Sequence, residues 1–372
     1  MAEALSTRYS VHVIGLGDSE PTSMWVGYPH HELDVSRTYT LLELAAQLSP
    51  EFVILIGQAQ LLSWQVIKLR RSGFQGFVVA YTPVEGPIYD SRALQGLIQS
   101  DLVVAYTKFG AAELERAFKT KKNLREFSKK VVVIPHAIDR PTTHSDEPID
   151  NLRARLFPDH TNRLDGPWIL NANRNDHRKQ PEVTMRAFAR MAEKHPQVKL
   201  VMHCDLKRRG LDLRIERDRL RLGGKVIFTK ENSSQNWTDQ KLHELYRCCE
   251  IGVNTSLGEG WGLVSFEHAL AGAAQILLKH QGLIEIWEGA PKWVPVIPNT
   301  VVIDEVSTGH HADLERLASS MLELVENTSM RKSIALQCFE RACSNEFTWI
   351  TVGEQWLALI HRLEMERIKG HC

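Results

Sequence analysis

The chain reads Gly258-Glu-Gly-Trp-Gly-Leu-Val-Ser-Phe-Glu-His-Ala-Leu-Ala-Gly272 shortly after the segment Ile251-Gly-Val-Asn-Thr255, and this order predicts a strand, a loop and a helix. Glycines at alternate positions of the loop let the backbone approach a ligand closely. The first helical N–H groups, near Leu263 and Val264, have no partner within the helix. The stretch therefore predicts a binding site for phosphate or hydroxyl oxygens at the start of the helix.

Two carboxylates belong to the same stretch, Glu259 in the loop and Glu267 in the helix. Their spacing of eight residues separates them by several ångströms along the helix axis, so they could hold two different parts of one elongated ligand. A glycine-rich turn with two solvated glutamates is the alternative interpretation of these residues alone.

A second polar stretch, Asn171-Ala-Asn-Arg174-Asn-Asp-His-Arg178-Lys179, follows the predicted strand at 168–170. Three cations within six residues at the end of a strand can neutralise a diphosphate, because arginine offers a fork of donors and lysine a point charge. A solvated loop before a helix that starts at Pro181 is the alternative.

Short apolar segments alternate with helical patterns on both sides of a polar, proline-containing stretch at residues 139–166. Continuous apolar strands separated by helices are typical of parallel sheets covered on both faces. We therefore predict two tandem α/β units joined by a linker. The predicted strands are residues 9–14, 52–56, 77–81, 102–106, 131–134, 168–170, 198–202, 226–228, 251–253 and 274–278.

The composition agrees with an ordinary globular chain of two domains: 372 residues, 43% hydrophobic and 24% charged, with a formal net charge of zero. Zero net charge gives no general attraction to nucleic acid or anionic membranes. The longest apolar runs are too short for a membrane-spanning helix. None of the six cysteines has zinc-finger spacing, and nothing near Met1 resembles a secretory signal, so we expect a cytoplasmic protein.

The two polar stretches together resemble those of the retaining glycosyltransferases of the GT-B fold, specifically the family 4 type. Arg174 and Lys179 match that family's Arg-x4-Lys pair, and Glu259 and Glu267 match its Glu-x7-Glu motif. The resemblance implies two Rossmann-like, doubly wound domains and a final helix that returns to the first domain. It places an acceptor-side domain at 1–160, a donor-side domain at 161–347 and the returning helix at 348–372.

By this resemblance, Arg174 and Lys179 would hold the diphosphate of a nucleotide sugar, Glu267 the ribose hydroxyls and Glu259 the hydroxyls of the donor sugar. The remaining donor contacts would come from Asn173, Gly260, Trp261, Gly262, Leu263 and Val264. No Asp-x-Asp occurs in the chain. We therefore expect no metal and no cofactor, because protein cations would stabilise the leaving diphosphate.

The first domain departs from the family pattern. Gly15-Leu-Gly17 occupies the place of the glycine loop that faces the donor phosphates, but no clear helix follows it. Many relatives have a sugar-binding histidine after the strand at 77–81, where this chain has Glu85. We take Glu85 and His136 as candidate catalytic residues beside Glu259, although Glu85 could be a plain turn residue and His136 a structural one.

The expected activity is transfer of a hexose from a UDP- or GDP-linked sugar to an acceptor hydroxyl of a carbohydrate or glycoconjugate, with retention of configuration and without a nucleic-acid partner. One alternative is a nucleotide-sugar epimerase or phosphorylase of the same fold. Another is a non-catalytic protein that binds sugar nucleotides. An NAD-dependent enzyme is a third, but Glu20 replaces the last glycine of the dinucleotide-binding pattern.

Overall fold

The computed structural model describes residues 1–16, 30–33, 39–119, 131–140, 147–160, 166–207, 211–229 and 237–370. These residues form two compact units, each of which is discontinuous in sequence. The first unit comprises Met1–Val84, Asp90–Ala137 and Asn345–Cys372, and the second comprises Glu85–Tyr89 and Ile138–Ser344. None of the described helices is long and apolar enough to span a membrane.

The first unit has a parallel sheet in the order β3-β4-β5-β6, and a separate parallel pair, β1-β2. Both central strands, β4 and β5, are almost completely buried, as their continuous apolar sequences predict. The strands are β1 (Val13–Leu16), β2 (His30–Leu33), β3 (Phe52–Ile56), β4 (Phe77–Thr82), β5 (Leu102–Ala105) and β6 (Val131–Val133).

Helices cover this sheet, and the last one of the chain is among them. Trp356, on that helix, is fully buried, and its ring lies 5.0 Å from the ring of Tyr81 on β4. The α-helices of this unit are α1 (Ala2–Ser6), α2 (Tyr39–Leu48), α3 (Ala59–Arg71), α4 (Lys108–Lys119) and α13 (Trp349–Gly370), with 3₁₀ turns at Arg92–Gln99 and Asn345–Phe347.

The second unit has a six-stranded parallel sheet in the order β12-β11-β10-β7-β8-β9. The chain runs outward from β7 on one side and returns to pair with β7 on the other side through β10, so the strand order reverses between these two strands. The strands are β7 (Trp168–Asn171), β8 (Lys199–Met202), β9 (Val226–Phe228), β10 (Ile251–Asn254), β11 (Ala274–Leu278) and β12 (Lys292–Val294), and a hairpin is formed by β13 (Val301–Val302) and β14 (Thr308–Gly309).

Both faces of this sheet are buried. Neighbouring residues of each strand point to opposite faces, so one strand contributes to two hydrophobic clusters. Ile169 on β7 joins one hydrophobic cluster, whereas Trp168 and Leu170 join the other. The covering helices are α5 (Ile149–Leu156), α6 (Pro181–Ala192), α7 (Leu213–Arg219), α8 (Asp239–Arg247), α9 (Leu263–Leu270), α10 (Gln281–Trp287), α11 (Leu314–Glu326) and α12 (Thr328–Ala342), with a 3₁₀ turn at Pro158–His160.

The residues Glu85–Tyr89, here called the crossing segment, follow β4 in sequence but belong to the second unit. Backbone hydrogen bonds attach them to the hairpin: Tyr89 N donates to Val306 O at 2.9 Å, and Thr308 N donates to Pro87 O at 2.9 Å. No sequence pattern had predicted this attachment, since Pro83 and Gly86 indicate only a turn.

Two stretches differ from the sequence-based expectation. The predicted strand at 9–14 is β1, which starts at Val13, includes Gly15 and pairs with β2. The stretch at 139–166, predicted as a linker, contains α5, whose Leu152 and Arg153 are buried in the second unit. Arg153 donates to Cys248 O and to Glu250, so this charged residue of the predicted linker has a structural role within the second unit.

Candidate functional site

The two polar stretches predicted to bind the donor follow β7 and β10, the adjacent strands between which the strand order reverses. Ligands of open α/β sheets bind at the carboxyl ends of strands at such a reversal. The two stretches are joined directly, because Leu257 N donates to Arg178 O at 2.7 Å. These two loops therefore form the candidate site within the second unit.

Glu259 is the centre of a buried polar cluster. Lys179 Nζ donates to Glu259 Oε2, and the Asn254 amide and the Ser256 hydroxyl donate to the same oxygen at 3.3 and 3.1 Å. Arg178 lies on the other side, with Nη1 3.5 Å from Glu259 Oε1. Glu259 is only 6% exposed, so its negative charge is balanced by Lys179 and Arg178 and has little contact with water.

Arg178 connects this cluster to the crossing segment. Its Nη1 donates to Gly258 O at 2.9 Å, and its Nη2 lies 3.0 Å from Glu85 Oε1. The sequence places Arg178 among the three cations that can neutralise a diphosphate, whereas the family resemblance assigns the diphosphate to Arg174 and Lys179 alone. No sequence pattern had predicted the contacts of Arg178 with Gly258 and Glu85.

The two carboxylates of the cluster have opposite pKa shifts. Burial alone would raise the pKa of Glu259, but Lys179 and Arg178 outweigh it and lower the pKa to about 2. Burial raises the pKa of Glu85 to about 7, against the effect of Arg178 and with a contribution from the Glu259 carboxylate. Glu259 is thus firmly ionised, whereas Glu85 changes its charge near neutral pH.

The Lys179 loop is held by hydroxyl groups beneath it. Gln180 has a left-handed backbone with φ of +45°, which is uncommon for a residue with a side chain. Thr255 Oγ1 lies 3.1 Å from Lys179 O and 2.9 Å from Gln180 O, and Thr184 Oγ1 lies 3.1 Å from Thr255 Oγ1. This buried network sets the direction of the backbone that carries Lys179.

Asn173, a predicted donor-binding residue, is buried in the same loop. Its backbone N–H and its side-chain amide both donate to Asn171 Oδ1, at 3.0 and 3.1 Å. In this structure Asn173 shapes the loop through these bonds to Asn171.

The glycine loop brings its predicted donor residues to the start of α9. Gly262 is the N-cap of the helix, with φ of +87°, a value that glycine adopts without strain. Gly260 is buried, and Trp261 stacks on Phe266 with ring centroids 5.5 Å apart. Leu263 is partly exposed at the first turn, and Val264 lines a pocket that continues along the helix.

That pocket has a volume of about 370 Å³ and lies beside α9 in the second unit. Glu267 lines it, and Tyr246 Oη donates to Glu267 Oε2 at 2.7 Å. Burial raises the pKa of Glu267. The residues around the pocket are Ala172, Arg174, Asn175, His203, Cys204, Asp205, Leu242, Tyr246, Val264 and Glu267.

Arg174 stands at this pocket rather than in the buried cluster. Its side chain is 65% exposed, and its Nε lies 3.7 Å from Asp176 Oδ2. The predicted pair is therefore divided between two environments, with Lys179 bound to Glu259 and Arg174 exposed at the pocket. An exposed guanidinium on a loop can reach an anionic ligand at little cost.

Of the remaining predicted residues, Glu85 belongs to the second unit, His136 and Gly15 to the first, and Gly17 lies outside the described residues. His136 belongs to an aromatic group with Tyr106 and Trp349, and its Nδ1 lies 2.6 Å from Ala137 O. Gly15 is within β1. The structure brings Glu85 into the cluster of Glu259 and Lys179.

Comparison with known proteins finds a family match over the part of the chain that contains these loops. Residues 166–327, which lie within the second unit, match the family described as "Glycosyl transferases group 1". This match, together with the structures below, confirms the resemblance predicted from the sequence. A search of curated proteins found no match.

Solved structures share the fold over most of the chain. An α,α-trehalose 6-phosphate synthase from Burkholderia multivorans matches with a TM-score of 0.66 and 14% identity, over 90% of this chain and 75% of the other. A trehalose-6-phosphate structure from E. coli, bound with UDP-2-fluoro glucose, matches with a TM-score of 0.65 and 16% identity, over 87% and 76%. The N-terminal domain of a Candida albicans trehalose-6-phosphate phosphatase matches with a TM-score of 0.64 and 13% identity, over 88% and 74%. These likenesses confirm the predicted α/β fold of the GT-B type.

Proposed function

We propose that the protein is a retaining glycosyltransferase that moves a hexose from a UDP- or GDP-linked sugar to an acceptor hydroxyl. The observation that carries this proposal is the direct contact between the two polar loops at the strand reversal, through Lys179 and Glu259. A pocket lined by Arg174 and Glu267 adjoins the same loops. The group 1 glycosyltransferase match over this region supports the same class of reaction.

In this proposal the donor lies along the start of α9. The ribose bonds Glu267 in the pocket, and the diphosphate meets Arg174, Lys179 and the first N–H groups of the helix. Breaking the bond between the sugar carbon and the phosphate oxygen leaves additional negative charge on the diphosphate. Fixed cations and helix N–H groups stabilise that charge without reorganisation, so no metal ion is required.

Glu259 would bind hydroxyls of the donor sugar, for which its contact with Lys179 has to loosen. A diphosphate near Lys179 competes for that ammonium group and makes Glu259 available to the sugar. The acceptor hydroxyl then forms the new bond to the sugar carbon, and its proton passes to the departing phosphate oxygen. Glu85 and His136 remain our candidates on the acceptor side.

A binding assay on the intact protein tests the proposal. We expect UDP or GDP, and the matching hexose conjugates, to raise the melting temperature, because a ligand of the native state stabilises it by mass action. Hydrolysis or transfer of that donor should continue in EDTA. Loss of activity in EDTA with recovery in Mn²⁺ would contradict the metal-free phosphate site.

Two arginine variants, one at the pocket and one as its control, test the diphosphate contact. Arg174→Ala should weaken binding of the nucleoside diphosphate by roughly tenfold, since a charge-assisted bond to phosphate is lost. Arg214→Ala removes an exposed arginine of the same unit that pairs with Asp212 and does not line the pocket, and it should leave binding unchanged. Equal effects of both changes would show that only general positive charge matters.

A further inference from the structure

Tyr246 was not assigned a role by the sequence interpretation, yet it makes the one hydrogen bond described for the Glu267 side chain. The tyrosine comes from α8 and the glutamate from α9, and Tyr246 Oη donates to Glu267 Oε2 at 2.7 Å. Both residues line the 370 Å³ pocket. Tyr246 is 4% exposed, so its hydroxyl is held at a fixed position.

The surroundings of Tyr246 fix the ring independently of the hydroxyl. Its ring stacks on that of His268 with centroids 5.5 Å apart, and it belongs to the hydrophobic cluster that covers one face of the sheet. Burial and the Glu267 carboxylate both raise the pKa of Tyr246, so the hydroxyl keeps its proton and acts as a donor. A phenylalanine would fill the same space without the donor.

The bond to Tyr246 leaves the two carboxylate oxygens of Glu267 in different situations. Oε2 accepts the tyrosine hydrogen bond, whereas Oε1 has no hydrogen-bond partner among the residues that the structure describes. A carboxylate with one oxygen held can rotate less freely, and the direction of its other oxygen is then fixed.

We propose that Tyr246 is a positioning residue that holds Glu267 through Oε2 and presents Oε1 to the ribose diol of the nucleotide. The inference rests on the proposed function, because it assumes that a nucleotide occupies this pocket. It assigns to Tyr246 the discrimination between ribose and 2′-deoxyribose. A misdirected carboxylate cannot favour the ligand that carries the additional hydroxyl.

The same bond controls the charge of Glu267. Burial is the largest effect and raises its pKa, Tyr246 lowers it, and Asp139 and Asp239 raise it further. Arg174, His203 and Asp205 line the same pocket. Removing the tyrosine hydroxyl therefore raises the pKa of Glu267, so the protonated carboxyl, a poorer acceptor for ribose hydroxyls, persists to higher pH.

The test compares Tyr246→Phe with the wild type by titration calorimetry between pH 5 and pH 8. The probes are UDP and GDP, each beside its 2′-deoxy form. We expect Tyr246→Phe to weaken binding of the ribonucleotide by roughly three- to tenfold and to bring its affinity close to that of the 2′-deoxynucleotide. The acid limb of the binding profile should move to higher pH. In a Glu267→Gln background, the same change should have little further effect.

Tyr9→Phe is a matched control, because Tyr9 also bonds a glutamate, Glu364, but in the first unit. It should leave affinity, sugar discrimination and pH profile unchanged. Tyr246→Phe with wild-type discrimination and an unshifted profile would overturn the positioning role, even if binding weakened equally at every pH. Failure of the wild-type protein to bind either nucleotide would overturn the proposed function and this inference together.

Discussion

At the scale of single residues, Glu259 is the carboxylate on which the polar contacts of the two loops converge. It is the counterion of Lys179 and Arg178, and together with Glu85 it makes a buried group of two cations and two carboxylates. Removing one member of such a group leaves a buried charge without compensation, which is more costly than never having had the pair. The effects of substitutions here follow from this balance of charge.

Glu259→Gln should therefore separate nucleotide binding from turnover. The substitution removes one negative charge beside Lys179, so affinity for UDP or GDP should rise by roughly a factor of a few. Turnover of the sugar nucleotide should fall by about 10²-fold, because one well-placed group at the reacting sugar is lost. Calorimetry and a donor hydrolysis assay measure the two effects.

Glu267→Gln serves as the opposite case for this prediction. This variant should weaken binding of the free nucleotide, since the ribose hydroxyls lose their charged acceptor. If both glutamine variants changed nucleotide affinity in the same direction, the two roles would be assigned wrongly.

Glu85 should make stability depend on pH near neutrality. Its pKa is about 7 in the folded chain against an ordinary value of 4.5, so the folded state binds the additional proton between these values. Stability from this residue is present at low pH and is lost as the pH rises from 4.5 to 7, by up to about 1.4 kcal/mol per pH unit. In urea unfolding, the free energy of unfolding of the wild type should fall relative to that of Glu85→Gln as the pH rises over this range. A constant difference would contradict the pKa shift.

The sequence predicted some of these residues because their spacing is tied to local structure. Glu259 and Glu267 occupy one loop and helix, and Lys179 precedes a helix that Pro181 marks. Arg178 could not be predicted as a contact of Glu85, because 93 positions separate them in the chain and only folding brings them together. Long-range pairing of this kind leaves no periodic signal.

At the scale of elements, close backbone contacts through glycines join the glycine loop, the crossing segment and the hairpin. A Cβ on Gly258 would lie 2.3 Å from Glu85 O, and a Cβ on Gly86 would lie 1.9 Å from Thr308 O. Gly309 has the same requirement opposite Leu257 O, at 2.1 Å. These distances are too short for any side chain, so the loops could not lie this close with other residues.

Gly258→Ala should consequently displace the crossing segment and destabilise the second unit by about 1–3 kcal/mol, the usual cost of overpacking. Donor turnover should fall as well, since Glu259 is the next residue. Gly223→Ala is the control, because no atom lies within 4 Å of its added Cβ and its backbone is not left-handed. Equal melting temperatures for the two variants would contradict the close contact.

Element prediction succeeded where apolar runs were continuous. The strands β4, β5, β7 and β10 were found within a few residues, because buried parallel strands consist of such runs. The strands β14 and β2, the latter with the polar sequence His-His-Glu-Leu, had no such run, and the short run at β13 was not predicted as a strand. Their pairing is set by tertiary contacts that a local pattern does not contain.

At the scale of the whole molecule, Arg174, Lys179, Glu259 and Glu267, which the proposal places around the donor, all belong to the second unit. A nucleotide should accordingly protect that unit first. In hydrogen exchange with UDP or GDP, we expect slower exchange in peptides that cover residues 172–179, 242–246 and 256–267. Peptides of β4 and β5 should keep their rates and serve as the internal control. Protection confined to the first unit would contradict the donor site.

The discontinuity of the second unit has a consequence for modularity. A gene fragment that encodes residues 138–344 contains the whole stretch matched to the glycosyltransferase family but lacks Glu85–Tyr89. The hairpin would then lose a backbone partner, and Arg178 would lose one of its two carboxylates. Chimeras that exchange the second unit between two proteins of this fold should therefore fold only when Glu85–Tyr89 and residues 138–344 come from the same parent. A single junction between residues 89 and 138 takes the two parts of the second unit from different parents, so such a chimera requires compatible sequences at Glu85–Tyr89 in both parents.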